Sequence, residues 1–397
     1  MNLSIFEVKA QGISELSRSD VLDILSNAFP HASHEFEVDK AFFSDDLNYS
    51  DGLAVTVARS GLLCGVAFAR PVSINLRGKC VLALTVGPLA VAPHVQGVGA
   101  GKLLLGGLDS LAKQLGAEAI YLQGIPNFYT QFEYFPAITR SKLRFDVASL
   151  ATENHEFAWR PATLADLSSM SKIFLDLSKG LQGAASRDER AWRWLLGPAS
   201  KSMYFQSPQV VLKNDEIQGY FCIDRNTPER VREFVSKSDA AAIEAALQAV
   251  TACVRRQAKD YFDIMTWRNS PLHTMTTYRH KTEFIEMSEP RAGQLLKLVD
   301  MPRTVCRLLK NHVSLPNSEL TVTMEGKKLR LSIGDSSAWI RVESVGMWLF
   351  GTLSVASLQK RGDLEISTPR QNGREPSISD FLNSSSAGAF IFQGDNL

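Results

Sequence analysis

From Gly101 to Gly116 the leucines fall at 104, 108, 111 and 115, the spacing of one helix face, and Gly116 stands where a helix end favours positive φ. An earlier amphipathic stretch, "SRSDVLDILSNAF" (17–29), opens with capping residues and predicts a first helix. "HASHEFEVDKAFFSDDLNYSD" (31–51) mixes acids with aromatics and predicts helix and loop. "GLAVTVARSG" and "LLCGVAFARPVSI" predict two strands joined at Arg59-Ser60-Gly61, a hairpin. "KCVLALTVGPLAV" (79–91) is a longer apolar strand interrupted by Gly87-Pro88. Proline donates nothing to the ladder and glycine admits a bulge, so the strand is expected to splay there. "AEAIYLQGI" (117–125) adds a buried strand before "PNFYTQFEYFPA". Helix, hairpin, strand, glycine-rich turn, helix and strand make a mixed α/β unit that ends near residue 150.

The pattern then starts again. "FAWRPATLADLSSMSKIFLDL" (157–177) predicts a short strand and a helix, and "QVVLKNDEIQGYFCID" (209–224) two strands about an Asn-Asp turn. "DAAAIEAALQAVTACVRRQAKDY" (239–261) is a helix at the place of the leucine-rich one, yet no glycine-rich turn precedes it. From about residue 290 a helix around "MPRTVCRLLKNH" precedes "LTVTMEGKKLRLSI", "AWIRVESV" and "WLFGTLSVASLQKRGDLEIS", read as a strand-rich third unit.

Length agrees with this partition, since 397 residues exceed one ordinary core and predict two or three domains. A formal net charge of +1 supplies no field for gathering nucleic acid or anionic membranes. No apolar run approaches the roughly 20 residues that span a bilayer. The start, "MNLSIFEVKAQG", lacks the basic and apolar regions of a signal peptide. Cys64, Cys80, Cys222, Cys253 and Cys306 are scattered and never in CxxC spacing. Reduced thiols in a cytoplasmic protein, with no metal site, are therefore expected.

Chemistry concentrates in "PHVQGVGAGKLLL" (93–105). A phosphate-binding P-loop needs a glycine separated by four residues from Gly-Lys-[Ser/Thr], but Gln96 holds that position and Leu103 follows Lys102. A dinucleotide fingerprint needs Gly-x-Gly-x-x-Gly, whereas Gly97, Gly99 and Gly101 alternate. What remains is Gln96-x-x-Gly99-x-Gly101 between a splayed strand and a helix start. Backbone N–H groups there form an anion site, and missing side chains let a pyrophosphate settle onto them.

This stretch resembles the GNAT acyltransferase superfamily, whose pyrophosphate loop reads Gln/Arg-x-x-Gly-x-Gly/Ala; "YLQGIPNFYTQFEYFPA" resembles the motif that follows it. The resemblance implies acetyl-coenzyme A as cosubstrate. Leu89, Ala90 and Val91 would pair with its pantetheine amides, and Gln96, Gly97, Val98, Gly99, Ala100, Gly101 and Lys102 would hold its pyrophosphate. Tyr129 matches the tyrosine that protonates the departing thiolate. Glu133 departs from the pattern by replacing a turn glycine, so the loop after Tyr129 is expected to be arranged differently.

"GAASRDERAWRWLL", "LLKLVDMP" and "MWLFGTLSVASLQKRGDLEI" extend the resemblance to the enhanced intracellular survival acetyltransferases. The implied α/β (α+β) architecture is a catalytic GNAT domain (1–150), a GNAT-like domain without the pyrophosphate loop (151–288) and a sterol-carrier-like domain (289–397). That family acetylates amines of aminoglycosides and lysine side chains, is often hexameric, and directs its C-terminal carboxylate into the active site. The resemblance thus implies a small-molecule or protein amine acceptor, a homo-oligomer, and a candidate role for the carboxylate of Leu397. Glu35, Glu37 and Asp39 lie in the acidic segment that borders the acceptor cleft in the GNAT fold, where negative charge would attract a polycationic amine. The competing reading is a non-catalytic acyl-CoA- or lipid-binding sensor that uses an apolar tunnel in the third unit.

Overall fold

In the computed structural model, the described residues are 6–29, 52–125, 127–150, 156–179, 181–197, 206–287, 293–310, 320–333, 335–367 and 382. The first unit runs β1 (Phe6–Gly12), α1 (Arg18–Ala28), β2 (Leu53–Arg59), β3 (Leu62–Leu76), β4 (Lys79–Val91), α2 (Ala100–Leu115), β5 (Ala119–Gly124) and β6 (Phe135–Pro136). The second runs β7 (Arg140–Asp146), β8 (Ala158–Pro161), α3 (Leu167–Ser178), α4 (Glu189–Leu196), β9 (Gln209–Lys213), β10 (Glu216–Ile223), β11 (Arg230–Ser236), α5 (Ala240–Arg255), β12 (Tyr261–Met265), α6 (Pro271–Thr276) and β13 (Thr282–Met287). The remainder comprises β14 (Gly293–Leu298), α7 (Met301–Leu309), β15 (Thr321–Glu325), β16 (Lys328–Ile333), β17 (Ser336–Arg341), α8 (Val342–Leu349), α9 (Val355–Arg361) and β18 (Leu364–Ser367).

Three sheets result, ordered β1-β2-β3-β4-β5-β14-β6, β13-β7-β12-β11-β10-β9-β8 and β15-β16-β17-β18. The first two sheets do not stop at residues 150 and 288. β7 lies between β12 and β13 in the second sheet, and β14 returns to pair with β5 and β6 in the first. β14 suits both neighbours because its leucines alternate: Leu295 joins the core that holds α1 and α2, while Leu296 and Leu298 join the core shared with the third sheet. β5 alternates likewise, with Ile120 and Leu122 in one core and Ala119 and Tyr121 in the other. A sheet covered on both faces reads as a continuous apolar run, which is how these strands appear in the sequence.

"AWIRVESV" is strand only as far as Arg341; Val342–Leu349 is helix α8, contrary to the strand expectation. Val345, Trp348 and Leu349 recur at helical spacing and bury against the third sheet, so packing overrides the β-propensity of valine and tryptophan. The apolar faces of β16 and β17, from Leu329, Leu331, Ala338 and Ile340, pack in one cluster with Ile74, Val81 and Tyr121 of the first sheet.

The β3–β4 hairpin ties the units together. Asn75 N–H donates to Ala184 O at 2.9 Å, and Ser186 N–H to Ser73 O at 2.8 Å. At the hairpin tip Arg77 is buried, its guanidinium lies 4.4 Å from the centre of the Trp348 ring, and Nη2 donates to Trp348 O at 2.9 Å.

Candidate active site

The parallel pairing of β4 with β5 covers only Ala83–Val86 against Ala119–Leu122. Beyond it β4 follows β3 alone, with a register shift opposite Gly87-Pro88: Ala69 faces Val86 and Ala67 faces Leu89. Gly87 and Pro88 thus stand opposite Phe68 alone, and this one-residue bulge bends β4 away from β5, as the glycine and proline predicted, and opens a wedge flanked by Leu89, Ala90 and Val91.

The chain leaves the wedge through a short turn and enters α2. Gln96 Nε2 donates back to Val91 O at 3.0 Å and closes the loop. Gly97 and Gly99 have φ of +74° and +99°, values at which a side chain is strained. Gly101 is different. It is helical, and a Cβ there would meet Phe128 Cζ at 3.3 Å. Two of the three glycines therefore shape the turn, and the third admits a neighbouring ring.

Gly99 is the N-cap of α2 and contributes no side-chain acceptor. The first bond into the helix runs from Leu103 N–H to Gly99 O at 3.1 Å, so the N–H groups of Ala100, Gly101 and Lys102 precede the intrahelical ladder. Lys102 is exposed in this first turn, where the helix dipole disfavours a cation. An anion at the bare N–H groups would remove both penalties, so the residues present fit a pyrophosphate. His94, on the preceding turn, is exposed.

The second sheet supplies a contrast. β11 and β12 also pair in parallel over a short stretch, Arg230–Val231 against Asp263–Ile264, before separating. There the helix that follows, α5, is capped by Asp239, whose carboxylate accepts from Ala242 N–H at 2.9 Å. A fixed carboxylate already occupies one of the donors, and the gap lined by Phe234, Met265 and Trp267 holds about 20 Å³.

On the far side of the first wedge, Tyr129 opens a single turn of tight helix, Tyr129–Phe132. Its ring is 8% exposed and meets Phe128 and Tyr134 edge-on, at 4.9 and 6.0 Å between centres. Burial raises the pKa of its phenol above the ordinary value of 10.0 and holds the proton on the oxygen. The ring reaches this place because β5 ends in Gly124: a Cβ there would stand 2.6 Å from Tyr129 Cδ2 and 2.5 Å from Leu295 Cδ1. Gly124 is a site residue that sequence reasoning missed, its only signal being a glycine at the end of an apolar strand.

Glu133 keeps the turn that a glycine would make, at φ +67°, with its N–H on Thr130 O at 3.3 Å. The left-handed conformation expected of glycine is retained by a glutamate. Beneath it, Lys297 on β14 binds Asp109 of α2 at 2.6 Å and lies 4.0 Å from Glu133. The strand from beyond the second unit thereby braces both the helix and the tyrosine turn.

Leu89–Val91 and residues 96–102 follow one another where β4 leaves β5, and Phe128, the neighbour of Tyr129, packs on Gly101. Glu35, Glu37, Asp39 and Leu397 lie outside the described residues. Among the described residues no cluster of His, Cys, Asp or Glu could hold a metal ion, and no helix is long and apolar enough to cross a membrane.

No protein-family model and no curated protein matches the chain. Solved structures do match over nearly the full length. A GCN5-related N-acetyltransferase from Kribbella flavida aligns with a TM-score of 0.68 at 16% identity, covering 99% of this chain and 100% of that one. One from Anabaena variabilis gives 0.67 at 14% identity, covering 97% and 98%. Eis1 from Mycobacterium abscessus gives 0.66 at 15% identity, covering 98% and 100%. The chain therefore has the GNAT fold, in an architecture that these proteins share along their whole length.

Proposed function

We propose that the protein is an acetyl-CoA-dependent N-acetyltransferase with one active site, in the first of three units spanning 1–150, 151–288 and 289–397. The observation that carries this reading is the uncapped start of α2, which follows a splayed strand and packs on Phe128, the neighbour of a buried tyrosine. Residues 96–102 would hold the pyrophosphate, and the backbone edge of Leu89–Val91, which β5 does not pair with, would pair with pantetheine and polarise the thioester carbonyl. The similarity in fold to N-acetyltransferases supports the same reading by analogy.

In the reaction a primary amine, after losing a proton to water or to a base, attacks the thioester carbonyl. The C–N bond forms, the C–S bond breaks, and the thiolate takes the Tyr129 proton. A phenol with a pKa of about 10 can serve a thiolate of about 8.5 only when the site holds the two together. The acceptor is a small-molecule or protein amine. Glu35, Glu37 and Asp39 are proposed to attract it, and the carboxylate of Leu397 to position it. We further propose a cytoplasmic homo-oligomer. Thiol release from acetyl-CoA with a panel of polyamines and aminoglycosides tests the reading. Binding of coenzyme A without thiol release for any amine would favour the sensor alternative.

A further inference from the structure

All three sheets contribute to a cavity of about 740 Å³, within the range of small-molecule sites, whose lining takes in Thr130, Gln131 and Glu133 but none of residues 89–91 or 96–102. One wall is apolar and rich in methionine, from Phe135, Ile138, Met287, Met324 and Met347, and such a surface adapts to varied apolar bodies.

The charged residues of the lining are unequally satisfied. Arg361 is held by Asp363 at 2.8 Å, Glu133 faces Lys297 at 4.0 Å, and Glu343 faces Arg341 at 3.7 Å. Arg140, the first residue of β7, and Lys327, in the β15–β16 turn, have no acidic partner among the described residues. Arg140 Nη2 is buried without any hydrogen bond, and so is Oε1 of Gln294 on β14. Both acids in the lining are paired and two of its three cations are not, so the cavity carries excess positive charge. Unpaired buried donors and acceptors cost free energy that a ligand carrying the complementary groups returns.

We infer that this three-sheet cavity binds an amphipathic carboxylate, with its apolar body on the methionine wall and its carboxylate between Arg140 and Lys327. This site is separate from the wedge at α2, and its occupancy does not depend on the reaction proposed there.

Calorimetry on the full chain tests the inference with decanoate, and with 1-decanol and decylamine as ligands of equal tail and different charge. Decanoate is expected to bind saturably at one site, to bind more tightly than decanol, and to remain bound in excess coenzyme A; decylamine is expected not to bind. Arg140→Gln with Lys327→Gln should weaken decanoate about tenfold or more and leave decanol unchanged. Lys327→Gln alone, at an exposed turn position that the fold does not need, should weaken it in the same direction. No saturable decanoate binding, equal affinity for decanol, displacement by coenzyme A, or unchanged decanoate affinity in Lys327→Gln would each overturn the inference.

Discussion

Phe128 Cζ rests against the bare backbone of Gly101, where an added Cβ would stand 3.3 Å away. The same ring meets Tyr129 edge-on at 4.9 Å between centres. One contact thus sets the distance between the proposed anion-binding turn and the proposed proton donor. An acyl-transfer site needs that distance fixed, because the pyrophosphate end and the thioester end of one molecule must be held at once.

Substitutions at Gly99 and Gly101 should therefore separate binding from turnover. Gly99→Ala forces a side chain to φ +99° and places a methyl beside the N–H groups. Strain of about 1–2 kcal/mol and lost approach should weaken coenzyme A about tenfold or more by calorimetry. Gly101→Ala is helical and tolerated by the backbone, but Phe128 must move a few tenths of an ångström. Coenzyme A affinity should stay close to wild type while kcat falls. Equal loss of affinity in both variants would contradict this division of roles.

Tyr129→Phe should lower thiol release by about 10²- to 10⁴-fold with little change in coenzyme A affinity. The pH dependence has a definite sign. A proton donor works only while protonated, and burial moves the Tyr129 phenol above 10.0. The alkaline limb of kcat should therefore have its midpoint above pH 10. An alkaline limb centred below pH 10 that disappears in Tyr129→Phe would rule out this ionisation.

The anion turn was legible because its determinants are local. The residues from Gln96 to Lys102 build a helix start whose donors can be counted from spacing alone. The wedge was legible for the same reason, through Gly87-Pro88. Strand exchange was not. Nothing in "RSKLRFD" or "GQLLKL" says which sheet the segment joins, because the partners of β14 lie more than 150 residues away. The α8 segment misled through β-branched and aromatic residues whose helical spacing is satisfied only once the third sheet is in place. The place of Gly124 was hidden because one of the groups it makes room for, Leu295, comes from the exchanged strand.

Gly124→Val should expose that dependence. A side chain there must displace Tyr129 and Leu295, which approach to 2.6 and 2.5 Å of the first added carbon. Overpacking of this kind costs about 1–3 kcal/mol, read as a lower Tm, and should reduce turnover as well because the displaced ring is the proposed donor. A variant with wild-type Tm and activity would show that β5 and β14 can part without consequence.

The second unit holds a buried charge pair whose loss should be costly without touching the site. Arg187 Nη1 binds Glu233 Oε1 at 2.7 Å, with the carboxylate fully buried and the guanidinium 4.2 Å from the centre of the Phe174 ring. Tyr220 donates its hydroxyl to the same carboxylate at 2.5 Å, and its own pKa is driven well above 10.0, first by burial and then by Glu233. Glu233→Ala leaves a guanidinium buried with its carboxylate gone and should cost about 3–5 kcal/mol, measured by urea unfolding. Replacing both partners, Arg187→Met with Glu233→Leu, removes the uncompensated charge and should recover part of that loss. Coenzyme A affinity of the folded double variant should match wild type, since the pair lies in the second sheet and the donor site in the first. If the double variant is as unstable as Glu233→Ala, the pair's contribution is packing and not charge.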